Sequence, residues 1–404
     1  MKAVVFQGVG DIRVDNIADP EIKQPSDAIV RLTASAICGT DLHMVRGTVT
    51  GMEPGRVLGH EGVGVVEEAG TDVRNFKEGD RVVIGSTIAC GYCAYCRAGY
   101  YSQCDNANPT GQGTAFYGGP EDAGGFDGMQ AEFVRVPFAA TNLVKLPEEV
   151  ADDDAILISD IFPTGYQAAE QADVCRGRTI AVFGCGPVGQ FTIASAMLMG
   201  AGRVFAIDTI PSRLEMARAQ GAEAIDYNFD DPVELLKELT GGIGVDRAID
   251  AVGVDANAPS GKSAESVAAE HKGETDKIAP KRNPKGGNWE PGSAPSVVLD
   301  WAVQSLAKAG TLSIIGVYPP TLKRFPIGDA MNKNIRIHMG NCNHRAYIPK
   351  LVELVRTGAV KPTQVLTQTR PLAGAIVAYQ NFDKRESGWM KVKLEPSDPA
   401  AKAA

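Results

Sequence analysis

Residues 179–208 read TIAVFGCGPVGQFTIASAMLMGAGRVFAID. The apolar run TIAVF has the length and composition of a buried strand, and the stretch after it keeps a helical period. Between them lies Gly184-Cys185-Gly186-Pro187-Val188-Gly189, a G-x-G-x-x-G turn, and a second strand ends at Asp208, nineteen residues beyond Gly189. Glycines in this setting let a pyrophosphate approach the backbone at a helix N-terminus, whose dipole favours anions. Asp208 is placed to accept hydrogen bonds from adenosine ribose hydroxyls and to repel a 2′-phosphate, which favours NAD over NADP. Arg213, a nearby positive charge, works against that preference. A turn needed only for packing is the competing reading, and the strand–helix–strand context argues against it. The alternation continues through PSRLEMARAQG, opened by Pro211 and closed by Gly221, then EAIDY, VDRAIDAVG and GTLSIIGVY. This is the pattern of a parallel sheet covered by helices.

Outward from that core the texture changes. Residues 1–160 read as strands and turns (AVVFQ, AIVRLTASAI, GVGVVEEAG, DRVVIGS, AEFVRVP) punctuated by Gly, Pro and Asp, as in an all-β barrel. Residues 254–296 are polar, rich in Gly and Pro, and nearly without apolar period. A loop of that length is either a solvated insertion or a functional cover. PSDPAAKAA at the end reads as a frayed tail.

The bulk properties narrow the class. The chain has 404 residues, 44% hydrophobic and 22% charged, with a formal net charge of −9. That length suits two or three domains, and the acidic balance disfavours a nucleic-acid partner. The N-terminal MKAVVFQGVGDIRV alternates like a strand and carries no signal-peptide pattern. The most apolar stretch, 179–207, is broken by five glycines and by Pro187, Gln190 and Ser195, so no membrane span is expected. Eight cysteines without secretory context point to metal sites in a cytoplasmic protein.

Four of those cysteines, Cys90, Cys93, Cys96 and Cys104, form a C-x2-C-x2-C-x7-C run. Four thiolates make a closed tetrahedral zinc site with no position for substrate, hence a structural one. An iron–sulfur site is the rival, but the trailing Cys-Pro common in such sites is missing. Chemistry must lie elsewhere. AICGTDLHMVRG and VLGHEGVGVV offer Cys38, Thr40, Asp41, His43, His60 and Glu61. A catalytic zinc needs three protein ligands and an open position. Cys38 and His60 are suitable donors, with Cys175, Cys185, Asp160 and Glu61 open as the third. Taken singly, His60 reads as a core histidine and Cys38 as a small buried hydrophobe.

The combination C-G-T-D-x-H, G-H-E-G-x-G, the four-cysteine lobe and the later G-x-G-x-x-G resembles the zinc-dependent medium-chain alcohol dehydrogenases, over the whole chain except 254–296 and the tail. The resemblance implies an α/β protein: a GroES-like β-barrel catalytic domain (1–161 and 339–404) and a Rossmann NAD-binding domain (162–338) carrying the insertion 254–296. It implies two zinc ions per chain, a catalytic one on Cys38 and His60 and a structural one on the four cysteines. Thr40 and His43 would form a proton relay, Glu61 would lie behind the metal, and Asp41 would orient His60. Family members often carry Cys four residues before a Thr-Gly-Tyr; in SDIFPTGY that place belongs to Asp160, which becomes the third ligand. Thr164 and Val188 would pack near the nicotinamide. Val252, Ile315, Gly316 and Val317 would complete the cofactor site with Gly184, Gly186, Pro187, Gly189, Asp208 and Arg213.

SDIFPTGY together with the insertion is similar to the glutathione-independent formaldehyde dehydrogenase and aldehyde dismutase subgroup, in which NAD stays bound and the inserted segment helps cover it. Trp289 is then the one obvious adenine-stacking surface. The implied reaction is hydride transfer between NAD and a primary alcohol or the hydrate of a small, formaldehyde-like aldehyde, with dismutation as an extension. An ordinary alcohol dehydrogenase with exchanging NAD and a non-enzymatic NAD-binding relative are the alternatives. The resemblance also implies a homo-oligomer, tetramer ahead of dimer, paired through nucleotide domains. Ser86–Ala89 and the region after Gly111 are suggested as substrate-lining. Cys342 and His344, two residues apart, read as incidental on a segment returning to the catalytic domain; His271 and His338 receive no role.

Overall fold

The computed structural model describes residues 1–110, 113–261 and 264–396. The expected frayed tail beyond Pro396 lies outside them, as do Gly111 and Gln112 in the suggested substrate-lining region. The chain divides into two compact units. One holds Met1–Pro163, Lys281–Trp289 and the chain from Cys342 onward; the other holds Thr164–Pro280 and Glu290–Asn341.

The second unit is a six-stranded, wholly parallel sheet. Its strands lie in the order Glu223–Asp226, Arg203–Asp208, Thr179–Phe183, Val245–Asp250, Leu306–Ile314, Arg336–Met339. Numbered along this unit the order is 3-2-1-4-5-6, the Rossmann arrangement, so the strand order reverses beside Thr179–Phe183. Helices cover the sheet, and their starts are written in the sequence. Pro187, Pro211 and Pro232 each occupy the first turn, where a missing N–H costs nothing. Asp231 caps Pro232–Leu239 by accepting the N–H groups of Val233 and Glu234 at 2.9 and 3.0 Å. Ala181, Phe183, Phe205, Ile207, Trp301 and Leu312 pack in one core of this unit, and Ile180, Val182, Val204 and Ile249 in another.

The first unit is built around Ala28–Ile37. Gly62–Ala69 pairs antiparallel along one side of this strand. Phe133–Val136 pairs with its first half and Val392–Glu395 with its last, so the C-terminal part of the chain closes the same sheet. The expectation of strands and turns alone across 1–160 needs correction, because Gly39–Arg46 and Asp152–Ile158 are helices. Gly39–Arg46 is only eight residues long and buried from Asp41 to Arg46, so it shows no amphipathic period to detect.

The polar insertion is also more ordered than its composition suggests. It carries the helices Ala264–Glu270 and Glu274–Ile278, and Ile278 and Ala279 pack on Val254. Its segment Lys281–Trp289 belongs to the first unit, where Trp289 is 4% exposed in a core with Leu372, Ala375 and Tyr379. Trp289 therefore offers no open ring for adenine stacking. Among the described residues, no helix is long and apolar enough to cross a membrane.

Candidate metal centres and cofactor turn

The four cysteines of the lobe bring their sulfurs within 4.8 Å of one another. Cys90 Sγ and Cys96 Sγ are 4.0 Å apart, near the separation of about 3.8 Å expected for tetrahedral thiolates around zinc. Backbone N–H groups point at the sulfurs: Tyr92 and Cys93 donate to Cys90 Sγ, Cys96 to Cys93 Sγ, and Cys90 and Ala107 to Cys104 Sγ. These donors favour thiolate over thiol. Burial pushes the Cys93 thiol up, but the N–H groups of Cys96 and Asp105 outweigh it and bring it to about 7. The lobe is chemically suited to a closed zinc site.

The second cluster is assembled by strand register. Ser35 faces Gly62 across the antiparallel pair, so Cys38, just past the end of one strand, and His60, just before the other, arrive at the same end of the sheet. Asp160 reaches them from the turn between Asp152–Ile158 and the helix beginning at Ile161. Donor atoms of Cys38, His60, Glu61 and Asp160 all lie within 4.8 Å of one another, and all four residues are buried. Of the candidates for third ligand, Asp160 and Glu61 are in this group; Cys175 and Cys185 are not. Asp160 Oδ2 is 3.6 Å from Cys38 Sγ and 3.4 Å from His60 Nε2. Both ring nitrogens of His60 are buried without a hydrogen-bond partner, as is Glu61 Oε2. Buried polar atoms are ordinarily paired, so a buried imidazole nitrogen without a hydrogen bond, converging with a thiol and two carboxylates, fits a zinc site.

The surroundings hold this set in place. Asp41 Oδ1 lies 3.2 Å from His60 Nδ1, while its Oδ2 accepts the Cys38 N–H at 2.9 Å and Gln130 Nε2 at 3.1 Å. Tyr379 donates its hydroxyl to Gln130 Oε1 at 2.7 Å. Lys391 Nζ lies 2.5 Å from Glu61 Oε1 and donates to the Ile37 carbonyl at 3.0 Å. His344 Nε2 lies 2.7 Å from Asp160 Oδ1. Burial alone would raise the Asp160 carboxyl, but His344 and His60 hold it well below the usual carboxylate range. Burial opposes the charged form of His344, and the neighbouring Cys342 and Asp160 overcome it, raising the ring to about 10.

Gln130, Tyr379, Lys391 and His344 were not legible as site residues. His344 lies against Asp160, and the Cys342 carbonyl accepts from Thr87 Oγ1 at 3.2 Å. Ser86–Ala89 are buried, and the Thr87 hydroxyl lies against His344 Nδ1.

Thr40 is half-buried at the start of Gly39–Arg46, and His43 is 4% exposed one turn later. Thr48 Oγ1 lies 3.1 Å from His43 Nδ1 and donates to the His43 carbonyl at 3.0 Å. With its own hydrogen so directed, Thr48 Oγ1 is an acceptor suited to the tautomer of His43 that carries its hydrogen on Nδ1.

In the second unit the glycine turn is sterically determined. A Cβ on Gly189 would lie 1.9 Å from the Gly184 carbonyl oxygen, and one on Gly184 would meet Val252 at 2.4 Å. Beside Gly186 the nearest atom is Arg213 Nη1 at 3.5 Å. Such a turn at a helix start fits a dinucleotide pyrophosphate. Both Asp208 oxygens are engaged by backbone: Oδ2 accepts from Cys185 N at 2.7 Å, and Oδ1 from Thr209 and Ile210 N–H at 2.7 and 3.0 Å. Arg213 Nη1 is 3.9 Å from Asp208. Thr164, Pro187, Val188, Val252, Ile315, Gly316 and Val317 are half-buried. At the end of strand Val245–Asp250, Asp250 accepts the N–H groups of Val252 and Gly253 and the Tyr318 hydroxyl, fastening the turn that follows.

Comparison with known proteins places these features in a family. Residues 24–148 match the alcohol dehydrogenase GroES-like domain and residues 187–266 the zinc-binding dehydrogenase domain. The chain is 38% identical over 401 residues to the uncharacterized zinc-type alcohol dehydrogenase-like protein AdhB of Bacillus subtilis (strain 168), covering 98% of this chain and 100% of that one. It is 42% identical over 266 residues to the glutathione-independent formaldehyde dehydrogenase of Pseudomonas aeruginosa, covering 63% of this chain and 66% of that one. Among solved structures, the alcohol dehydrogenase TADH from Thermus sp. ATN1 superposes with a TM-score of 0.81 at 32% identity, over 98% of this chain and 99% of that one. An oxidoreductase fold, a zinc-suited donor set and full-length similarity coincide, and the chain belongs to the zinc-dependent medium-chain alcohol dehydrogenase family.

Proposed function

We propose that this protein transfers hydride between NAD and a primary alcohol or the hydrate of a small, formaldehyde-like aldehyde. The observation that carries the reading is the buried convergence of donor atoms from Cys38, His60 and Asp160, with the His60 ring nitrogens and Glu61 Oε2 among the buried atoms that lack a hydrogen bond. These three residues hold the catalytic zinc, with Glu61 behind it, and Cys90, Cys93, Cys96 and Cys104 hold the structural one. Zinc supplies Lewis acidity toward the substrate oxygen and NAD supplies the hydride acceptor. Thr40 takes part in proton removal and His43 receives the proton, its Nδ1–H held by Thr48 so that Nε2 is the accepting nitrogen. Asp41 orients the His60 ring. Gly184, Gly186, Pro187 and Gly189 seat the pyrophosphate, Asp208 and Arg213 flank the adenosine ribose, and Thr164, Val188, Val252, Ile315, Gly316 and Val317 line the nicotinamide end.

Asp160→Ala tests the centre. Zinc should fall from two ions to one per chain and alcohol-dependent NADH formation should vanish; retention of both ions overturns the ligand assignment. The local similarity to a glutathione-independent formaldehyde dehydrogenase supports a formaldehyde-like substrate, and the resemblance to that subgroup implies retained NAD and aldehyde dismutation. Denaturing extensively dialysed protein and assaying the supernatant for NAD(H) decides this: stoichiometric release supports it, and an empty supernatant leaves a dehydrogenase with exchanging NAD. Asp208→Ser should raise kcat/KM with NADP relative to NAD.

The same reading makes the protein a homo-oligomer, a tetramer before a dimer. Strand Arg336–Met339 is an edge of its sheet, and Met339, Ile327 and Met331 are exposed. Light scattering of the purified protein measures the state directly. All eight cysteines are unpaired, which suits a reducing compartment such as the cytoplasm.

A further inference from the structure

We propose that His344 is a positioning residue for Asp160, holding one oxygen of its carboxylate so that the other is turned toward Cys38 and His60, where the metal would bind. The proposal rests on the reading of Asp160 as a zinc ligand. His344 Nε2 lies 2.7 Å from Oδ1, whereas Oδ2 is the oxygen that faces Cys38 Sγ at 3.6 Å and His60 Nε2 at 3.4 Å. The histidine is itself braced. Its Nδ1 is 3.0 Å from Thr87 Oγ1, its exposure is 2%, and it opens the helix His344–Arg356. The preceding residue, Asn343, accepts from both Ser102 N and Ser102 Oγ at 3.0 Å, anchoring the start of that helix.

The need for such a brace follows from the donor type. A cysteine in this place offers one donor atom on a short stem. An aspartate offers two equivalent oxygens and a torsion that exchanges them or turns both toward the ion. A donor fixed on Oδ1 removes that freedom and selects binding through Oδ2 alone. Outer residues that orient a ligand in this way typically contribute 10–100-fold to metal affinity or activity. His344 lies 184 positions from Asp160 in the chain, so the pair exists only in the folded unit.

The test compares zinc retained against EDTA, and the visible spectrum of the cobalt-substituted protein, in wild type, His344→Ala, His344→Gln, Asp160→Ala, Asp160→Cys and the double variant Asp160→Cys/His344→Ala. His344→Ala should weaken one of the two sites by about 10–100-fold and alter its cobalt bands, with the four-cysteine site unchanged. His344→Gln, whose amide nitrogen can donate to Oδ1, should recover part of the loss. In the Asp160→Cys background the His344→Ala change should have no further effect, because a thiolate has no second oxygen to restrain. Should His344→Ala fail to fold, the Gln variant and the Asp160→Cys pair carry the comparison. Unchanged affinity and cobalt bands in His344→Ala, with one zinc lost in Asp160→Ala, overturn the positioning role and leave the ligand reading intact. An equal loss with Cys at 160 also overturns it, by showing a general structural role. Two zinc ions retained in Asp160→Ala overturn the ligand reading, and this proposal with it.

Discussion

Lys391 Nζ sits 2.5 Å from Glu61 Oε1, with both side chains fully buried and the two residues 330 positions apart in the chain. Burial opposes charge on both groups: Glu61 and Cys38 raise the lysine's pKa, while burial raises that of the Glu61 carboxyl against the pull of Lys391. Removing one partner leaves the other as an uncompensated buried charge. Lys391→Met is expected to cost about 3–5 kcal/mol, read from the urea midpoint. Adding Glu61→Gln should recover much of that loss. A double variant no more stable than Lys391→Met would assign the loss to packing.

Gly189→Ala tests the cofactor turn. Its methyl would be placed 1.9 Å from the Gly184 carbonyl oxygen, so the backbone must move where a pyrophosphate would sit. Overpacking of this kind costs about 1–3 kcal/mol, and NADH affinity should fall at least about tenfold. Titration of NADH fluorescence measures it, and an unchanged Kd would place cofactor binding elsewhere.

Trp289 anchors the segment Lys281–Trp289 within the first unit. Its backbone N–H donates to Asp383 Oδ2 at 2.7 Å, Asn288 Nδ2 donates to the same oxygen at 3.1 Å, and Arg46 Nε donates to Oδ1 at 2.9 Å. Trp289→Ala empties a core position and should cost about 3–5 kcal/mol. Limited proteolysis should then cut within 281–289 at protease concentrations that spare wild type.

Asp246 joins two parallel strands by accepting the Thr179 N–H and Oγ1–H, both at 2.9 Å, with Arg178 at 3.1 Å. Burial pushes its pKa up, but the Thr179 donors and Arg178 outweigh it, so the folded value lies below the ordinary 3.8. Its contribution is therefore full above about pH 3.8 and is lost as pH falls through the folded value. Asp246→Asn should destabilise by about 1 kcal/mol near neutrality, and the difference from wild type should shrink in acid. A difference independent of pH across that range would exclude ionisation as its source.

What the sequence determined by itself is local. The strand–turn–helix at 179–198, the proline-led helices and the cysteine lobe each arise from residues within a few turns of chain, where periodicity, capping and ligand spacing act directly. Cys38, His60 and Asp160 were each legible as metal donors by type and by resemblance. Their convergence is a product of the Ser35–Gly62 register and of the turn after Ile158. Only the tertiary structure could pair Lys391 with Glu61, set His344 on Asp160, run Tyr379 through Gln130 to Asp41, or turn Trp289 inward. The physical reason is common to all four. A buried polar or aromatic group is defined by the partner that desolvates or satisfies it, and here those partners lie tens to hundreds of residues away, beyond the reach of any local pattern.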